Sequence, residues 1–104
     1  MRKKANLPSL IEITSKDGHR EVFARIVSQH FAVHECIDEL ESTYTLTHLP
    51  TGRSLTTAGS IGRLTKLARA LEKEEVEWDS TDHEMMGLKA ERPFRRLCRT
   101  MGLL

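Results

Sequence analysis

Apolar residues in the first half of the chain recur at every second position, and in the second half at every third or fourth. In "SLIEIT", Ile11 and Ile13 fall on one parity and Leu10, Glu12 and Thr14 on the other, the alternation of a half-buried strand rich in β-branched residues. "SKDG" follows, where Asp17-Gly18 supplies the positive φ of a tight hairpin turn. "HREVFARIVS" sets Val22, Ala24 and Ile26 against Phe23, Arg25 and Val27, which predicts a second strand, paired with the first and well buried on one face. "HFAVHECI" reads as a third strand through Phe31, Val33 and Ile37, although residues 29–41 also allow a short helix. After the polar, acidic "DELES", the run "TYTLTHL" alternates Tyr44, Leu46 and His48 with threonines, and "RSLTT" continues in the same style.

Between those last two runs stands Pro50-Thr51-Gly52, which reads as a hairpin tip or as a phosphate-cradling loop. A phosphate loop of the P-loop kind needs spaced glycines, a Lys followed by Ser or Thr, and a helix leading out. Here Gly52 is followed by Arg53 and further strand-like sequence. Pro50 presets φ for a turn and Gly52 tolerates positive φ, so a hairpin between Thr43 and Thr57 is the reading adopted. Ser60 is a good N-cap for a helix carrying the apolar stripe Ile61, Leu64, Leu67, Ala68 and Leu71. "VEW" suggests a short edge strand with Trp78 packed on the core. Thr81 and Glu84 match a capping box. One or two helices follow, with a break expected near Gly87 or at Arg92-Pro93. The last of them carries Phe94, Leu97, Cys98, Met101 and Leu104 on one stripe. Together these elements predict an α+β fold in a single domain, residues 1–104: an antiparallel sheet of four to five strands, covered by the amphipathic helix from Ser60 and by C-terminal helices.

Composition narrows the class. The 104 residues are 38% hydrophobic and 30% charged, as in a soluble globular domain. No apolar run approaches the roughly 18 residues of a membrane span, and "MRKKANLP" lacks the apolar core of a signal peptide. A cytoplasmic location without a membrane partner is therefore expected. Cys36 and Cys98 lie far apart in no redox or zinc spacing, which fits reduced, buried thiols. A net charge of +1 conceals segregation: Arg2, Lys3 and Lys4 open the chain, Arg92, Arg95, Arg96 and Arg99 nearly close it, and acids crowd residues 72–84. Such blocks pair with each other, stay solvated, or meet a partner.

The search for chemistry is thin. His30, His34 and Cys36 share a parity, and His48 can sit opposite, so a zinc site from these four is geometrically conceivable. Ligands at that spacing on one strand face are unusual, and polar or half-buried side chains are the plainer account. Cys36 with His34 or His48 lacks the orienting third group of a nucleophile and its base. Asp38, Glu39 and Glu41 are explained by a polar turn. The expectation is a protein that is not an enzyme, with no cofactor and no metal.

"FAVHECID" and "YTLTHLPTGRSL" resemble hairpins in short uncharacterised proteins of phages and other mobile elements, over about residues 30–75. That resemblance implies an accessory role, often blocking or steering a host protein, and assigns no active residue. The order of four strands followed by a helix is also similar to that of the Whirly type of single-strand-binding domain, which implies single-stranded nucleic-acid binding. The chain departs from it in offering few Lys, Arg or aromatic residues on its strands, with aromatics at 5%. Two functions follow as expectations. One is a protein-interaction module, with Arg92, Arg95, Arg96 and Arg99 binding an unidentified host protein or a second copy. The other is a nucleic-acid binder using Arg63, Lys66, Arg69 and Lys73, outward of the stripe on the helix from Ser60.

Overall fold

The computed structural model describes residues 9–15, 18–35 and 43–103. The chain runs β1 (Ser9–Ser15), β2 (Gly18–Ile26), β3 (Phe31–Glu35), β4 (Tyr44–His48), β5 (Arg53–Ala58), α1 (Ile61–Glu72) and α2 (His83–Thr100). The strands form one five-stranded antiparallel meander in the order β1-β2-β3-β4-β5, an α+β fold with helix packed on sheet. Of residues 29–41, Phe31–Glu35 form a strand. Glu35 pairs with Tyr44 and Phe31 with His48, which places β3 in the middle of the sheet. Residues 36–42, with Cys36, Asp38, Glu39 and Glu41, lie outside the described residues, as do Arg2, Lys3, Lys4 and Leu104.

Both expected hairpins form. Gly18 opens β2 at φ 108° and Gly52 ends the β4–β5 turn at φ 72°, the left-handed region where a Cβ is costly. Gly52 is constrained further, because a Cβ there would stand 3.0 Å from Thr14 Oγ1 and 3.1 Å from the Glu12 carbonyl oxygen. That close approach comes from the sheet curling on itself. The Thr14 N–H donates to the Gly52 carbonyl at 2.7 Å, and the Thr14 hydroxyl donates to the Thr51 carbonyl at 3.1 Å.

The curl buries β3 on both faces. Phe31 and Val33, with Leu46, face the helices, where Leu64, Leu67, Ala68 and Leu71 of α1 are fully buried. On the other side Ala32 packs with Ile11, Ile13 and Ala24 beneath the β1–β2 ribbon. The burial expected along β2 is realised only at its centre: Ala24 is buried and Val22 half-buried, but Ile26 is exposed. The β2–β3 pairing joins Arg25 to Val33 and Ile26 to Ala32 at the end of the strand.

Ser60 caps α1 as expected, its Oγ accepting the Arg63 N–H at 3.4 Å. Three other expectations are corrected. "VEW" is a run of turns rather than an edge strand: the Val76 N–H bonds the Glu74 carbonyl and the Trp78 N–H bonds the Val76 carbonyl, which uses locally the donors a strand would offer sideways. Trp78 is nonetheless buried, donating Nε1–H to the Leu71 carbonyl at 2.8 Å and meeting the Phe31 ring edge-on at 5.1 Å. α2 begins at His83, one residue later than a Thr81–Glu84 box would start it. It is also one helix of 18 residues that runs through Gly87 and Pro93. Proline removes one N–H and strains the preceding turn, but buried Met86 and Ala90 before it and Cys98 after it hold both halves to the same core.

Candidate interaction surface

α2 sorts its residues by face. Met86, Ala90, Phe94, Leu97 and Cys98 turn to the core, joined by Met101 just past the helix end, and this leaves the arginines on the opposite side. Arg92, Arg95, Arg96 and Arg99 line one open groove of about 520 Å³ together with Leu88 and Glu91. Leu88 is 71% exposed among these charges. Two of the arginines are engaged within the chain: Arg95 pairs with Glu91 at 3.0 Å one turn back, and Arg96 reaches Glu74 beyond the end of α1 at 2.6 Å. Arg92 and Arg99 have no carboxylate in ion-pair range among the described residues. Lys89 pairs loosely with Glu77 at 3.7 Å. Among the described residues the basic and acidic blocks meet at Arg96–Glu74 and Lys89–Glu77, and Arg92 and Arg99 stay unneutralised.

The second predicted set lies on α1. Arg63, Lys66, Arg69 and Lys73 are all exposed on the side away from the buried leucines, and none has an ion-pair partner among the described residues. No aromatic side chain belongs to that stripe.

The histidines do not converge. His34 and His48 belong to opposite parities of paired strands, with His48 opposite Phe31 on the helix side and His34 opposite Thr45 on the other. His34 donates Nδ1–H to the Glu35 carbonyl at 2.9 Å and accepts the Thr47 hydroxyl at Nε2 at 3.0 Å. His48 has the reverse tautomer, since its Nε2–H donates to the Trp78 carbonyl at 2.7 Å and its Nδ1 accepts the Thr51 hydroxyl at 2.8 Å. Both rings thereby have partners at both nitrogens. Among the described residues no three His, Cys, Asp or Glu side chains stand together to hold a metal; Cys36 lies outside them. Cys98 is a buried free thiol, and its burial raises its pKa and keeps it protonated.

His30 forms a clamp that sequence gave no reason to expect. Its Nδ1–H donates to Glu72 Oε1 and its Nε2–H to Asp79 Oδ1, both at 2.7 Å. Carboxylates only accept, so both ring nitrogens carry protons and the ring is an imidazolium. Glu72 Oε2 also accepts the His30 backbone N–H and the Ser28 hydroxyl, each at 2.7 Å. Burial works to lower the His30 pKa, but the bonds and charges of Glu72 and Asp79 outweigh it and raise the net value. Burial works to raise the Glu72 pKa, and the bonds from His30 and Ser28 outweigh it and lower the net value. Because Ser28 donates to the carboxylate rather than to the ring, the group is an ion-paired brace and not a serine–histidine relay. Partners 42 and 49 residues away leave no local signature.

Two further features complete the surface. A cleft of about 230 Å³ between the β4–β5 hairpin and α2 is floored by Leu55, Trp78, Met86, Ala90 and Phe94, below the usual 300–1,000 Å³ of small-molecule sites. On the outer side of the β1–β2 ribbon, Leu10 and Phe23 are cross-strand partners, 53% and 70% exposed. The exposure of Leu88 had a sequence signal: it stands two residues from Met86, out of phase with the core stripe and in phase with the arginines.

No protein-family model, curated protein or solved structure matches this chain. Among the described residues no helix is long and apolar enough to cross a membrane.

Proposed function

We propose that this protein is a non-catalytic interaction module that docks an acidic protein segment on the outer face of α2. The observation that carries this reading is the arginine-lined groove around an exposed leucine, with Arg92 and Arg99 left unpaired among the described residues. Arginine joins charge, planar bidentate hydrogen bonding and an apolar stem, and it is enriched where proteins meet. An acidic segment with an apolar anchor would use both the cations and the exposed leucine.

The test is fluorescence anisotropy with a labelled glutamate-rich peptide carrying one leucine, titrated with the whole protein. Binding should weaken with salt and fall about tenfold or more in an Arg92→Glu/Arg99→Glu variant. Equal binding by that variant sinks the reading.

A second reading, single-stranded nucleic-acid binding, rests on α1. Its exposed Arg63, Lys66, Arg69 and Lys73 are unpaired among the described residues and span about 15 Å of helix, a length that fits a few phosphates. It ranks second because the stripe brings no aromatic platform for bases. A labelled oligonucleotide bound more tightly than the peptide, with a steep salt slope lost in Lys66→Glu/Lys73→Glu, would reverse the order.

A further inference from the structure

The proposed docking face of α2 carries a charge order that makes it complementary to itself. We infer that its partner is a second copy of this chain, joined through an antiparallel α2–α2 pair; this rests on reading that face as a protein-docking surface. Glu84, Leu88, Glu91, Arg92, Arg95 and Arg99 recur at intervals that keep them on one side of the helix, and all are exposed. The acids hold the N-terminal half and the arginines the C-terminal half. Glu84 and Glu91 are seven residues apart, as are Arg92 and Arg99, so each pair spans about 10 Å along the axis.

Two copies related by a two-fold axis at the Glu91–Arg92 peptide bring like positions into opposite order. Glu84 then faces Arg99 of the second copy, Leu88 faces the aliphatic stem of Arg95, and Glu91 faces Arg92. Every acid meets an arginine, and no like charges are opposed. A parallel pair would set Glu84 on Glu84 and Arg99 on Arg99, so the charge order itself selects the antiparallel arrangement. Opposed helix dipoles favour the same orientation. The single chain leaves unmet what this pairing would satisfy: Glu84, Arg92 and Arg99 have no ionic partner among the described residues, and Leu88 is 71% exposed. Glu91 is shared, since it already holds Arg95 of its own helix at 3.0 Å. Exposed ion pairs are individually weak, so the dimer is a weak, salt-sensitive one.

The test is sedimentation equilibrium of the full chain over about a hundredfold range of concentration, at low and high salt, with the labelled glutamate-rich peptide titrated in parallel. At low salt the mass should rise from 11.9 kDa towards twice that value with concentration, and salt should reverse the rise. Arg99→Glu and Glu84→Arg should each weaken association about tenfold or more, because each breaks two symmetry-related contacts. The double variant Glu84→Arg/Arg99→Glu, with both charges exchanged, should restore it. Circular dichroism checks the folding of each variant, and Arg99→Gln and Glu84→Gln replace any that unfolds. A chain that stays at 11.9 kDa throughout overturns the inference, as does a dimer indifferent to both single variants or one that the double exchange fails to rescue. A monomer that still binds the peptide through Arg92 and Arg99 overturns self-pairing alone and leaves the docking reading standing. A monomer that binds no peptide overturns both.

Discussion

Replacing Glu72 with Gln isolates the brace that ties the β2–β3 turn to the end of α1. The glutamine keeps the shape and one carbonyl oxygen, which can still accept from Ser28 Oγ and the His30 backbone N–H. It loses the charge-assisted bond to the His30 ring, made at 2.7 Å. Such bonds contribute about 1.5–3 kcal/mol, and the side chains are only 12% and 19% exposed, so screening removes little of it. The expected loss is about 2 kcal/mol near neutral pH, a fall of about 8 °C in Tm for a domain of this size. The loss is pH-dependent in a defined sense. His30 has its pKa raised by folding, so its share of the stability is complete below the unfolded histidine value of about 6.5 and is lost as pH rises through the higher folded value. Glu72 has its pKa lowered, so its share is present above the unfolded carboxylate value and is lost as pH falls through the lower folded value. Urea denaturation followed by circular dichroism, for wild type and Glu72→Gln at about pH 6 and about pH 9, should show the difference shrinking at the higher pH. A difference below about 0.5 kcal/mol at pH 6, or one that does not change with pH, refutes the brace. Asp79→Asn is the internal control: Asp79 is 89% exposed, and its loss should cost much less than that of Glu72.

Two further outcomes are expected. Gly52→Ala should destabilise by about 1–3 kcal/mol, since it forces a Cβ into positive φ and against Thr14 and the Glu12 carbonyl; a denaturation midpoint equal to wild type would mean that β1 does not close on the β4–β5 turn. In a Cys36→Ser background, Cys98 should resist alkylation until denaturant is added, because its side chain is buried and its thiol held protonated; labelling of the native protein at the rate of a free thiol would contradict the packing of α2.

Periodicity along the chain was enough to reveal the α+β class, the two hairpins with Gly18 and Gly52, the Ser60 cap and the leucine stripe of α1. These are local consequences of side-chain alternation and backbone preference, acting within a few residues. The arginine face of α2 was legible for the same reason, because helical spacing sorts Phe94 and Cys98 from Arg92 and Arg99 before any partner is known. Tertiary structure decided what depends on distant segments meeting. It turned "VEW" into turns so that Trp78 reaches the Leu71 carbonyl and Phe31, and it carried α2 on as one helix through Pro93 by anchoring both halves on one core. It separated His34 from His48 across the sheet and joined His30 to Glu72 and Asp79 from far along the chain. Local sequence sets which face an element shows, but which faces meet is fixed by burial of the whole core, whose contacts link residues with no shared local pattern.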